Sequence, residues 1–316
     1  MANTLRGRFA PSPSGRMHLG NLLCCLLSWL SVRCRGGQVV LRIEDLDTAR
    51  CPARYADALM EDLLWLGLSW DEGPGIGGPH GPYFQSQRTA LYEAALETLK
   101  DQTYPCFCTR GELRSASAPH GREAVYPGTC RNLTAAEAAL RSKTRRPSLR
   151  LRVPDRDIRF TDLHFGPYRE NLARSCGDFV LRRSDGLFAY QLAVVVDDAA
   201  MGITEVVRGA DLLSSTPRQL YLYELLGLDP PRFRHIPLVL APDGRRLSKR
   251  DGDLAMDVLR TRYSPEEIVG QLACLAGLRP DAEPIAAADL MEDFDWKKVP
   301  RQNLRLTAGV LGYEPS

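Results

Sequence analysis

One stretch constrains the fold of this chain more than any other. It is Arg8-Phe-Ala-Pro-Ser-Pro-Ser-Gly-Arg-Met-His-Leu-Gly-Asn21, followed at once by the apolar run Leu22–Leu30. A short strand over Gly7–Ala10 enters a turn made by Pro11, Pro13 and Gly15, and a helix starts near His18 and runs to about Arg33. A strand–turn–helix of this kind aims free backbone N–H groups and the positive helix end at one point, which suits a phosphate. The spacing fits neither the P-loop nor G-x-G-x-x-G, so the two common glycine-rich nucleotide loops are excluded.

The segments that follow extend an α/β pattern. Gln38-Val-Val-Leu-Arg-Ile43 reads as a buried strand running straight into Glu44-Asp-Leu-Asp47. Carboxylates at the carboxyl end of a strand lie where open α/β sheets bind ligands, although they also end strands and cap helices. Pro52 opens a helix with Tyr55, Leu59, Leu63 and Leu66 at helical spacing, closed by Gly67. After a Gly- and Pro-rich loop at 71–82, another helix spans about Gln87 to Lys100. The order βαβα predicts a parallel sheet covered on both faces. Further on, the buried apolar run Leu187–Val196 ends in Asp197-Asp198, and Gly202–Asp211 reads as a second strand leading to charged residues. With the strand Phe233–Leu240, they read as the second half of the sheet. Thr216-Pro-Arg-Gln219 and Ser264-Pro-Glu-Glu267 are both capping-box patterns at helix starts. Arg245-Arg-Leu-Ser-Lys-Arg-Asp251 is a basic loop, which alone reads as a solvated charge run.

Between the two halves the character changes. Cys106-Phe-Cys108, a polar loop and Tyr126-Pro-Gly-Thr-Cys130 have the spacing of a structural metal site. Three ligands would be cysteines, and the fourth Tyr126, His120 or a remote group. Histidine is the better donor on general grounds, because a phenol must lose or share its proton. Alternating segments at Ser148–Val153, Ile158–Phe160 and Asp178–Arg183 complete a small mixed insert.

Nine cysteines without a repeating spacing do not form a disulfide framework. With no basic-then-apolar leader at Met1 and no apolar run of membrane length, a cytoplasmic protein without membrane contact is expected. The net charge of +2 neither demands nor excludes a nucleic acid, since a local basic face can hide in a near-neutral total.

Two motifs, taken together, carry a resemblance over nearly the whole chain. His18-Leu-Gly-Asn21 resembles the HIGH motif of class I aminoacyl-tRNA synthetases, and Arg246-Leu-Ser-Lys-Arg250 resembles their KMSKS loop. Arg8-Phe-Ala-Pro-Ser12, Arg42-Ile-Glu-Asp-Leu-Asp47 and Val206-Val-Arg-Gly-Ala-Asp-Leu212 are similar to the glutamate branch of that class. Only residues 251–316 follow the second motif, too few for the large anticodon-binding region of a full glutamyl enzyme. The chain therefore looks like the branch's shortened paralogues, whose zinc insert Cys106, Cys108, Tyr126 and Cys130 resemble. That likeness moves the fourth ligand from His120 to Tyr126.

The resemblance implies an α/β, Rossmann-like class I catalytic domain split by a zinc-binding insert, with a short C-terminal helical region. The implied parts are 1–105, the insert 106–184, 185–252 with the KMSKS-like loop, and helical 253–316. It implies a monomeric ligase that activates L-glutamate with ATP and Mg²⁺ and esterifies the queuosine base of tRNA(Asp). His18 and Lys249 would be catalytic, and His18, Gly20, Asn21 and Lys249 would hold ATP. Arg8 and Arg208 would take the glutamate side-chain carboxylate, and Glu44 its ammonium. Tyr190, with Phe9, Ala10, Pro11 and Ser12, would line the pocket. Arg246 departs from the lysine common at that position. The alternatives are a truncated enzyme charging a tRNA 3′ end, a non-catalytic tRNA-binding paralogue, and a nucleotidyltransferase acting on a small acid.

Overall fold

The computed structural model describes residues 4–109, 111–112, 125–245, 254–306 and 309–312. Strand β1 (Arg6–Phe9) leads into helix α1 (Leu19–Arg33) and parallel strand β2 (Gln38–Leu41), with Arg6 opposite Gln38 and Phe9 opposite Leu41. Helices α2 (Ala53–Trp65) and α3 (Thr89–Thr98) complete the first half. The second half holds α6 (Tyr190–Ala200), β8 (Glu205–Gly209), α7 (Thr216–Leu226) and β9 (Arg232–Ile236), and β8 and β9 again run parallel. The halves meet where Thr204 N donates to Arg6 O at 2.9 Å.

Alternation along these strands explains why both faces are covered. Val39, Leu41, Val207 and Ile236 join the core around α1, whereas Val40, Val206 and Phe233 join the core around α6. Helix α1 is apolar nearly all round because it is enclosed nearly all round: Leu19, Leu22, Leu23, Leu26, Leu27 and Leu30 are buried. It lies so close to β1 that a Cβ on Gly7 would collide with Val32.

The insert comprises β3 (Thr103–Cys106), α4 (Ala135–Ser142), β4 (Ser148–Leu151), β5 (Asp157–Asp162), β6 (Gly166–Asn171), α5 (Leu172–Ser175) and β7 (Phe179–Arg182). Strands β3, β4 and β7 form an antiparallel sheet, and β5 and β6 a hairpin. Its Leu151, Ile158 and Leu181 share a core with Leu192, Val195 and Leu222 of the second half. The hairpin docks on β9, with Leu163 N donating to Phe233 O at 2.9 Å. After β10 (Val239–Leu240) come α8 (Met256–Arg262), α9 (Pro265–Leu275) and β11 (Leu304–Arg305).

Two expectations change. The run Leu187–Val196 is not a strand: from Tyr190 onward it is helix α6, enclosed by other elements. A short apolar run lacks the periodicity that separates a buried strand from a buried helix. The tail is not purely helical either, because β11 pairs in parallel with β10. Ser264–Glu267 does form its capping box. Among the described residues no helix is long and apolar enough to cross a membrane.

Candidate active site

The carboxyl ends of β1, β2 and β8 bring Arg8, Glu44 and Arg208 together with the start of α6 at Tyr190. Arg8 is buried; its Nη1 donates to Val207 O at 3.1 Å and its Nε lies 3.4 Å from Asp198 Oδ1. That Nε has no hydrogen-bond partner among the described residues.

Behind it lies a fully buried ion cluster. Arg42 is completely enclosed and donates to Asp198 Oδ1 at 2.7 Å and to Glu44 Oε1 at 3.2 Å, with Asp197 Oδ2 at 3.8 Å. Asp197 also accepts from Arg88 Nε at 2.6 Å, Tyr92 OH at 2.8 Å and Gln85 Nε2 at 2.8 Å. Burial disfavours the Arg42 charge, but Asp198, Asp197 and Glu44 outweigh it and raise its pKa. Burial pushes the Glu44 carboxyl above the ordinary range, against the pull of Arg42 and Arg8. None of Arg42, Arg88, Asp197 and Asp198 was expected to build the site. The signal was available, because a charged residue inside an apolar run must find a buried partner.

Arg208, at the end of β8, is buried and held on three sides. Nε donates to His235 Nε2 at 2.9 Å, Nη1 to Gln219 Oε1 at 2.8 Å and Nη2 to Thr216 Oγ1 at 2.7 Å. Burial lowers its pKa, and the nearby Tyr190 hydroxyl opposes this. The capping box expected at Thr216–Gln219 is not formed: α7 has no side-chain cap, because both side chains turn to Arg208 instead. Phe9 points into the α1 core, so only its backbone can face a ligand. Ala10 and Pro11 are half-buried and Ser12 is exposed. Pro11 O accepts from Glu44 N at 3.0 Å, tying this turn to the carboxylate.

His18 caps α1. Its Nδ1 accepts from Gly20 N at 3.2 Å, and its own N–H donates to Asn21 Oδ1 at 3.3 Å. The Gly20 N–H is thus turned onto the imidazole rather than outward, which leaves the ring as the polar group the turn presents. Lys249 and Arg246 lie outside the described residues. The chain on either side is anchored, by Ala241 N donating to Arg245 O at 2.9 Å and Met256 N donating to Met17 O at 3.0 Å. The second anchor adjoins His18.

In the insert, the Sγ atoms of Cys106, Cys108 and Cys130 lie within 4.8 Å of one another. Tyr126 OH is 3.4 Å from Cys106 Sγ and accepts from Cys130 N at 2.9 Å. The three thiols together could hold a metal, with the Tyr126 hydroxyl beside Cys106. His120 lies outside the described residues.

Two buried histidines set a pH dependence. Burial holds both His164 and His235 below the ordinary value of 6.5. The unfolded chain therefore takes up protons that the native state refuses as pH falls through 6.5. Each histidine costs up to about 1.4 kcal/mol of stability per pH unit below that point. Thermal melts should show a lower midpoint at pH 5.5 than at pH 7.5, and a smaller drop in a His164→Gln variant.

Comparison with known proteins places this arrangement. Residues 4–307 match the family model described as tRNA synthetases class I (E and Q), catalytic domain. The chain belongs to that family, and it is a ligase of the aminoacyl-tRNA synthetase kind. More narrowly, it is 51% identical over 315 residues to a Glutamyl-Q tRNA(Asp) synthetase of Symbiobacterium thermophilum, covering 97% of each chain. It is 52% identical to the protein of that name from Nitratidesulfovibrio vulgaris, again covering 97% of each. Among solved structures it resembles a glutamate tRNA ligase from Elizabethkingia meningosepticum in complex with its amino acid. That likeness has a TM-score of 0.83 and 33% identity, and covers 98% of this chain and 68% of that one.

Proposed function

We propose that this protein activates L-glutamate with ATP and transfers it to the queuosine base in the anticodon loop of tRNA(Asp). The observation that carries the glutamate half is the buried pair Arg8 and Arg208 beside Glu44 and Tyr190. Two guanidinium groups suit the side-chain carboxylate of glutamate, and Glu44 suits its ammonium. Ala10 and Ser12 line the pocket, with backbone from Phe9 and Pro11. Support for the acceptor comes from the relatives, since those matched along 97% of both chains carry the glutamyl-Q tRNA(Asp) name.

In the first step a glutamate α-carboxylate oxygen attacks the α-phosphorus of ATP, and the bond to pyrophosphate breaks. Charge builds on phosphate oxygens, so positioning and electrostatics do the work. His18, with Gly20 and Asn21 shaping its turn, holds phosphate, and Lys249 brings a cation from the closing loop. Mg²⁺ accompanies ATP, bound through phosphate oxygens and water. In the second step a queuosine hydroxyl attacks the acyl carbon, an ester forms and AMP leaves. No protein nucleophile is needed.

The four-part division carries over into this reading, with the insert entered through β3 and a tail of helices plus β11, as does a monomer. Cys106, Cys108 and Cys130, with Tyr126 as fourth donor, would hold a zinc in a structural role, since four protein donors would leave no open position. One zinc per chain is the expected stoichiometry. Chelation or Cys130→Ser should remove it and lower the melting midpoint on the order of 5–10 °C. Metal analysis paired with a thermal melt checks both. Activation itself is tested by ATP–pyrophosphate exchange: glutamate should support it and aspartate should not. No exchange with any amino acid would point to a non-catalytic binding protein.

A further inference from the structure

Arg208 does not hold its own geometry; a chain of contacts holds it from the insert. Asp162, at the end of β5, is 2% exposed. Its Oδ1 accepts from His164 N at 2.9 Å and Phe165 N at 2.8 Å, which locks the carboxylate in place. Its Oδ2 accepts from His235 N at 3.1 Å and lies 2.6 Å from His235 Nδ1. A carboxylate only accepts, so Nδ1 carries the proton. The opposite ring nitrogen, Nε2, lies 2.9 Å from Arg208 Nε, which only donates. Both neighbours thus demand the same neutral tautomer of a ring that is completely buried. The ring also lies nearly parallel to Phe233, with centroids 6.5 Å apart and planes 16° apart.

We propose that Asp162 is a positioning residue for substrate binding: through the tautomer of His235, the insert hairpin orients the Arg208 guanidinium toward the glutamate side chain. The proposal rests on the reading of Arg208 as a glutamate ligand. With Nε fixed by His235, Nη1 by Gln219 and Nη2 by Thr216, the guanidinium plane is set before substrate arrives. Prepaid orientation of this kind appears in substrate affinity. The relay also gives the hairpin a task in the catalytic half that its place in the sequence does not suggest.

The test is Asp162→Asn, an isosteric change. The amide oxygen keeps the His164 and Phe165 N–H groups and stays 3.3 Å from the His235 backbone N–H, which it can take over, so its NH₂ faces His235 Nδ1. The ring must then carry its proton on Nε2, which points an N–H at the Arg208 N–H. In full-length protein, ATP–pyrophosphate exchange should show KM for glutamate raised 10- to 100-fold. KM for ATP should stay within twofold and kcat within threefold. Histidine ¹⁵N NMR should show one of the five imidazoles moving from the Nδ1–H to the Nε2–H tautomer. Arg208→Lys is the reference. If it raises KM for glutamate and Asp162→Asn does not, the relay is wrong, even if Asp162→Asn melts earlier. If Arg208→Lys leaves KM for glutamate unmoved, the glutamate reading itself is wrong. Should Asp162→Asn not fold, the wild-type spectrum decides: His235 as an imidazolium or an Nε2–H tautomer at pH 7.5 overturns the proposal.

Discussion

Arg42→Met is expected to destabilise the protein by about 3–5 kcal/mol, the cost of leaving buried charge uncompensated. Arg42 is completely enclosed and faces three carboxylates, those of Asp198, Glu44 and Asp197. Arg88 would still answer Asp197 and Arg8 would lie near Asp198, so the fold has some compensation left. Glu44 would have none of comparable closeness among the described residues. Its carboxyl, already raised by burial, would take up a proton and lose the charge that suits an ammonium. The variant should therefore show two defects: a lower midpoint in urea unfolding and weaker glutamate binding in whatever protein remains folded. Methionine has roughly the volume to fill the space, so a loss smaller than about 1 kcal/mol would mean that the cluster is far less desolvated than the structure shows.

Arg208→Lys is expected to raise KM for glutamate about a hundredfold in the exchange reaction, or about 2.7 kcal/mol. The substitution keeps the charge, so a purely electrostatic role would predict a small effect. The guanidinium, however, is a planar fork whose three nitrogens each meet a separate acceptor. An ammonium on a flexible stem cannot satisfy His235, Gln219 and Thr216 and still present a fixed donor edge to substrate. Those three groups would be left partly unpaired in a buried place, adding to the loss. The melting midpoint of the variant separates this local effect from unfolding.

Local chemistry made the first strand, the turn and α1 legible from residues alone. Proline and glycine punctuate the turn, and the leucine run announces a buried helix. The βαβ order gave the parallel sheet for the same reason. Helix α6 was not legible as a helix, because enclosure on several sides erases the polar stripe that gives a helix its period. The three cysteines could be grouped from their spacing, while the approach of the Tyr126 hydroxyl to Cys106 depends on the fold of the insert. The capping-box pattern at Thr216 is local, while the partner that competes for both side chains, Arg208, comes from the neighbouring strand β8. His235 and Asp162 were invisible for a related reason. They lie 73 positions apart, and only docking of the hairpin on β9 makes them neighbours. Motif residues such as Arg8, Glu44 and Arg208 could be picked out one by one. The buried groups that hold them, Arg42, Asp197, Asp198, Thr216 and Gln219, emerge only from packing.

In the proposed reaction glutamate is esterified to queuosine rather than to the tRNA terminus. The direct measurement is transfer of labelled glutamate to purified tRNA(Asp), with and without queuosine, each with its 3′-terminal adenosine intact or removed. The proposed activity requires label that depends on queuosine and is indifferent to the terminal adenosine. Label that depends on the terminal adenosine and ignores queuosine would contradict it and make the protein a small 3′-charging synthetase.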